Sequence, residues 1–96
     1  MIMLMVVYNE VLDDKVMEIL DEVRIKGYTK VPEVFGRGEA SGTHLGTDIW
    51  PGLNNILYIA CQDNQLKELL IKIRQLRGKS GHEGIKAFVL PLEEVT

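Results

Sequence analysis

The chain has 96 residues, 46% hydrophobic and 26% charged, with a formal net charge of -3, the composition of one ordinary globular domain. The acidic balance excludes a nucleic-acid binder, which needs a basic face, and the single cysteine, Cys61, excludes an internal disulfide framework and fits a reducing cytoplasm. The apolar opening Met1 to Val7 is too short for a membrane span or a signal peptide, so no membrane insertion is expected.

Residues 1–8 form an unbroken apolar run that predicts a buried strand. Asn9 and Glu10 break it. Leu12, Val16, Ile19, Leu20 and Val23 then recur at helical spacing, with Asp13 and Asp14 where acids complement the helix dipole. The pattern predicts an amphipathic helix from Leu12 to about Lys26, stopped by Gly27. Tyr28 to Phe35 is rich in β-branched and aromatic residues and predicts a second strand. Pro32 within it cannot donate to a ladder, so an edge position or a bulge is expected there.

Residues 36–52 hold five glycines in seventeen positions with no helical or strand period. Loops this long in small domains usually carry function, and the apolar Leu45, Ile49 and Trp50 argue for a segment that settles against a ligand or partner. Asn54 to Cys61 predicts a third strand. Gln62, Asp63 and Asn64 offer N-caps for a second helix, on which Leu66, Leu69, Leu70 and Ile73 keep helical spacing to about Arg77. Ala87 to Leu90 predicts a fourth strand checked by Pro91, and residues 92–96 are expected as a short edge strand or a tail against a neighbour.

The order is β-α-β-β-α-β. The economical solution is an α+β, ferredoxin-like fold: a four-stranded antiparallel sheet with two helices on one face. The first and third strands are apolar on both alternating sets, which leaves the other sheet face too apolar for a comfortable monomer and predicts burial in a homo-oligomer.

Between the second helix and the last strand, residues 77–86 pack Gly78, Gly81 and Gly84 among Arg77, Lys79 and Lys86. Glycine amides beside cations suit an anion such as phosphate, although many Gly-Lys connections only turn the chain. No catalytic constellation accompanies this stretch, so no enzyme is expected. Gly78-Lys79-Ser80 echoes the end of a Walker motif but lacks the earlier glycine and follows a helix. His44 and His82, the only histidines, have no close-spaced ligand motif, so solvated histidines are the default reading. Cys61 reads as a small buried hydrophobe, and Trp50 as interface or core packing.

In chain order, these residues resemble the PII nitrogen-regulatory signalling proteins and their PII-like relatives. Leu12-Asp13-Asp14-Lys15-Val16 resembles the family's first helix start, and Gly27-Tyr28-Thr29 its Gly-x-Thr strand entry. Phe35-Gly36-Arg37-Gly38 resembles the opening of the family's T-loop, and Asp63-Asn64-Gln65-Leu66 the start of its second helix. Arg77-Gly78-Lys79-Ser80-Gly81 resembles its B-loop, and Lys86-Ala87-Phe88-Val89 the strand that follows.

The resemblance implies one domain over residues 1–96, with a T-loop-like segment at 36–53 and a B-loop-like segment at 78–86. It implies a cytoplasmic homotrimer that binds a small anionic effector, an adenine nucleotide (ATP, ADP or AMP), in clefts between subunits. Nothing covalently bound is implied, and a protein partner would be engaged through residues 36–53. The implied site residues are Thr29, Gly36 and Arg37 with Lys79, Gly81, Gly84 and Lys86. Three departures stand out. The 36–53 segment is short and holds no tyrosine, so uridylylation there is not expected. The run Gly81 to Lys86 is longer than the family's Gly-Asp-Gly-Lys and carries Glu83. The sequence ends at Thr96 with no arginine-bearing segment after the last strand. These departures point to the PII-like relatives. Two alternatives remain open at this level: a CutA-like trimer concerned with divalent-metal tolerance, and a ferredoxin-like interaction module without a ligand.

Overall fold

The computed structural model describes residues 1–36, 53–79 and 84–96. Strands β1 (Ile2–Asn9), β2 (Thr29–Val34), β3 (Asn54–Cys61) and β4 (Ile85–Pro91) alternate with helices α1 (Asp13–Glu22) and α2 (Asp63–Lys79). The order is β-α-β-β-α-β as expected, and the sheet runs β2-β3-β1-β4 with every pairing antiparallel. The long apolar run of β1 takes a central place, bonded on both sides.

Both helices cover one face. Leu4, Val6 and Tyr8 of β1, Leu57, Ile59 and Cys61 of β3 and Ile85 of β4 share that face by register. They pack with Val16, Ile19 and Leu20 of α1 and Leu69, Ile73 and Leu76 of α2 in one core. Among the described residues nothing covers the opposite face. Met3, Met5 and Val7 line it on β1, Ile56 and Tyr58 on β3, Phe88 and Leu90 on β4, and Val31 on β2. Tyr58, Phe88, Leu90 and Val31 stay exposed. The surface is larger and more continuous than the scattered apolar residues of ordinary surfaces.

Three boundaries differ from the sequence reading. Helix α1 ends at Glu22, not near Lys26, and Gly27 is not its stop. The apolar period ends at Val23, and the chain closes there with a reverse pattern of bonds. Arg24 N–H donates to Asp21 O at 3.0 Å and Ile25 N–H to Leu20 O at 2.9 Å, the paired bonds of a Schellman stop. Arg24 takes the left-handed conformation such a stop requires, at φ 64°. An L-residue there is strained. The exposed Arg24→Gly change should therefore stabilise the fold by about 1 kcal/mol and raise the melting midpoint by roughly 4–8 °C, read by circular dichroism.

The second difference is β4, which starts at Ile85 rather than Ala87 and places Lys86 inside the strand. The third is α2, which runs on to Lys79, so Gly78 and Lys79 are helical rather than part of a loop. The last five residues form no strand. Helix α2 begins with half a capping box: Gln65 Oε1 accepts the Gln62 N–H at 3.1 Å.

Pro32 satisfies both expectations at once. Strand β2 is an edge, and its register slips between Val31 and Val34. Pro32 and Glu33 together oppose the single residue Asn55, with Glu33 at φ 58°. The extra residue bends β2 just before the chain leaves the sheet.

Candidate functional site

One end of the sheet gathers the roots of both glycine-rich segments. Strand β1 finishes there, β2 ends, and β3 and β4 begin: Asn9 pairs with Asn54, Tyr8 with Ile85, and Val34 with Asn54. The turn after β1 holds these roots together. Asn9 N–H donates to Gly84 O at 2.7 Å, and Glu10 N–H donates to Leu53 O at 3.0 Å. The Asn9 side chain, itself buried, accepts the Val11 N–H at 3.0 Å and starts a short 3-10 turn over Glu10–Leu12 that feeds α1.

Two glycines matter here, one for its backbone angle and one for close approach to a side chain. Gly84 has φ 87°, which side chains rarely adopt, while a Cβ on it would only touch Leu12 Cδ1 at 3.4 Å. A Cβ on Gly36 would lie 3.2 Å from Asn54 Nδ2, tighter than ordinary contact. Both positions let the backbone pass close to the sheet end, which is what a glycine supplies.

Beneath the turn lies a polar junction. Asp13 Oδ1 accepts three donors: Tyr8 Oη at 2.6 Å, Lys30 Nζ at 2.8 Å and Asn55 Nδ2 at 3.3 Å. Burial alone would raise the Asp13 carboxyl, but the Lys30 ammonium and the Tyr8 and Asn55 donors outweigh it and hold its pKa below the ordinary 3.8. Burial, reinforced by the Asp13 carboxylate, pushes the Tyr8 phenol well above its ordinary value. Among the described residues no buried side-chain polar atom lacks a partner.

The proposed site residues fall into separate groups. Gly36 and Gly84 sit at the sheet end, while Arg37 and Gly81 lie outside the described residues, as do His44, His82, Glu83 and Trp50. Lys86 pairs with Val7, so it projects from the uncovered face, where its Nζ stands 5.6 Å from the Phe88 ring centroid. Thr29 pairs with Tyr58 on the same face. It is on the opposite edge strand, and its partner is four residues from Asn54, roughly 13 Å along the sheet from the loop roots. Lys79 closes α2 beside Lys15 and Glu18, across the sheet from Lys86. One chain therefore does not bring Thr29, Lys79 and Lys86 together.

Sequence reasoning missed Asn9, Glu10 and Leu53 as the ties between loop roots, and Lys30 and Asn55 as partners of Asp13. Asn9 and Glu10 did signal a strand end, and Asp13 a helix start. Among the described residues no three His, Cys, Asp or Glu side chains cluster to hold a metal. Cys61 is buried, and burial, then the nearby Asp63 charge, raises its thiol pKa, so it stays a protonated hydrophobe.

This geometry meets its relatives in sequence as well as in shape. The model of the family described as nitrogen regulatory protein P-II matches residues 1–96. The chain belongs to the P-II family. A GlnB-like protein of the nitrogen fixation nifHD1 region of Methanosarcina barkeri is 30% identical over 84 residues, covering 86% of this chain and 79% of that protein. Among solved structures, CPII of Thiomonas intermedia K12, bound to ADP, AMP and acetate, superposes with a TM-score of 0.72 at 16% identity over 93% of this chain and 82% of that one. A candidate PII-like signalling protein of Thermus thermophilus gives 0.65 at 20% identity, over 92% and 81%. At those identities the two structures establish the P-II fold. P-II proteins are regulators rather than enzymes, and no described helix of this member is long and apolar enough to cross a membrane.

Proposed function

We propose that this protein is a trimeric, cytoplasmic PII-like regulator. It binds a small anionic effector, an adenine nucleotide, in clefts between subunits and signals through residues 36–53 to a protein partner. The observation that carries this reading is the bonding of Leu53 and Gly84 to the Asn9–Glu10 turn, with Gly36 beside Asn54 at the same end of the sheet, where both glycine-rich segments are rooted. The structural neighbour CPII was solved with ADP and AMP.

Two features support the trimer. The uncovered sheet face needs burial, and Thr29 and Lys86 sit on that face at opposite edge strands, β2 and β4. A head-to-tail ring brings the β2 edge of one subunit to the β4 edge of the next and so unites residues that a single chain keeps apart. Each cleft then offers Arg37 and Lys86 to offset phosphate charge, with Gly36, Gly81 and Gly84 amides as donors and Thr29 from the adjoining subunit. Lys79, on the helix side, adds only longer-range positive charge.

Isothermal titration with ATP, ADP and AMP is the test. At least one should bind, and Arg37→Ala and Lys86→Ala should each weaken it roughly tenfold or more, the scale of a charge-assisted hydrogen bond. Failure of all three to bind removes the nucleotide reading.

A further inference from the structure

The Asp13 junction gathers three of the strands that frame the sheet-end site. We propose that Asp13 is a positioning residue for the sheet-end anion site, acting through Tyr8 and Asn55 on the turn that ties the two loop roots. The role in ligand affinity rests on the reading above; the role in fixing the roots does not.

A single carboxylate oxygen receives donors from β1, β2 and β3 while belonging to α1. Each donor sits where one of the frame's elements is fixed. Tyr8, almost fully buried, immediately precedes Asn9 and Glu10, whose amides hold Gly84 and Leu53. Asn55, also buried, lies opposite the Pro32-Glu33 bulge that sets how β2 leaves the sheet toward Gly36. Lys30 lies just before that bulge and supplies the counter-charge. Tyr8 and Asn55 are buried, so the loss of their shared acceptor is costly for both. Breaking the junction releases Tyr8 and Asn55 together, and the Asn9 and Glu10 bonds sit on that support.

A salt bridge this exposed, with about a quarter to a third of each side chain accessible, contributes little to stability by itself. The arrangement instead concentrates three strands on one oxygen at the site's floor, which is how a supporting shell fixes the groups above it.

The experiment compares wild type, Asp13→Asn, Lys30→Met and Lys30→Arg by two readouts: amide hydrogen exchange of Asn9 and Glu10 in the protein without ligand, and titration with ADP. Asp13→Asn and Lys30→Met should speed exchange at both amides at least tenfold while Leu4 and Val6, in the middle of β1, keep wild-type rates. Both variants should bind ADP about tenfold more weakly, within the range for residues that modulate binding without contact, and Lys30→Arg should restore both readouts. Unchanged exchange at Asn9 and Glu10 in Asp13→Asn overturns the positioning role, as does a uniform rise along β1, which marks a merely structural loss. Faster exchange with unchanged ADP affinity overturns its link to the site. A wild type that binds no nucleotide, with exchange behaving as expected, refutes the nucleotide reading alone and leaves Asp13 as the residue that fixes the roots.

Discussion

Met5→Asp should convert the proposed trimer to a monomer of 10.9 kDa at micromolar concentration, measured by sedimentation. Met5 is in the middle strand pair, between Tyr58 on β3 and Phe88 on β4, at the centre of the uncovered face. In a monomer a carboxylate there is solvated and costs the fold little, so circular dichroism should be unchanged. In the proposed trimer each subunit would bury it between Tyr58 and Phe88, with Lys86 the neighbouring cation on that face, one residue pair along β4. Such burial costs several kcal/mol per ion after relaxation, on the order of 10 kcal/mol for three, and works directly against assembly. Nucleotide binding should fall with assembly, because Thr29 and Lys86 then have no adjoining subunit. A trimer that survives the change, or a wild type that sediments as a monomer, rejects the proposed assembly.

The parts of this structure that could be read from sequence are those fixed by neighbours close in the chain. The apolar run of β1 predicts a central strand because both alternating sets need cover, and Pro32 predicts an edge or a bulge because it lacks an N–H. The end of α1 escapes such reasoning because Gly27 is the more familiar stop, whereas the chain closes earlier on a strained Arg24 with Ile25 packed back against the core. The glycine-rich segments mark the roots of the site, since a missing side chain is visible in sequence. The ties between them are not, because Glu10 meets Leu53, and Asn9 meets Gly84, only after the sheet has formed. The Asp13 junction is hidden for the same reason. Its partners Lys30 and Asn55 are 17 and 42 residues away, and an aspartate at a helix start already has a sufficient local explanation in the dipole. Thr29 shows the converse limit: a short motif assigns it to a site that one chain alone does not assemble.

Leu57→Ala should do to the fold what Met5→Asp does to the assembly. Leu57 is fully buried in the centre of β3, flanked in register by Val6 and Lys30 and packed in the cluster that both helices share. Removing its branched end leaves a cavity between sheet and helices that β1 and β3, each bonded on both sides, cannot close. Leu→Ala changes at such sites cost about 3 kcal/mol, a large share of the roughly 5–15 kcal/mol that holds a domain together. The expected fall in melting midpoint is about 12–24 °C for a domain of this size, followed by circular dichroism at fixed protein concentration because assembly raises the apparent stability. The uncovered face is untouched, since Leu57 points to the opposite side of the sheet. The folded fraction should therefore still sediment as the wild type does and titrate nucleotide with wild-type affinity. If both outcomes hold, the two faces of one sheet divide the work: the helix side holds the chain in its fold, and the bare side holds the copies together. A Leu57→Ala protein that dissociates while remaining folded would show that the two faces are coupled through the strands, and the division of labour would fail.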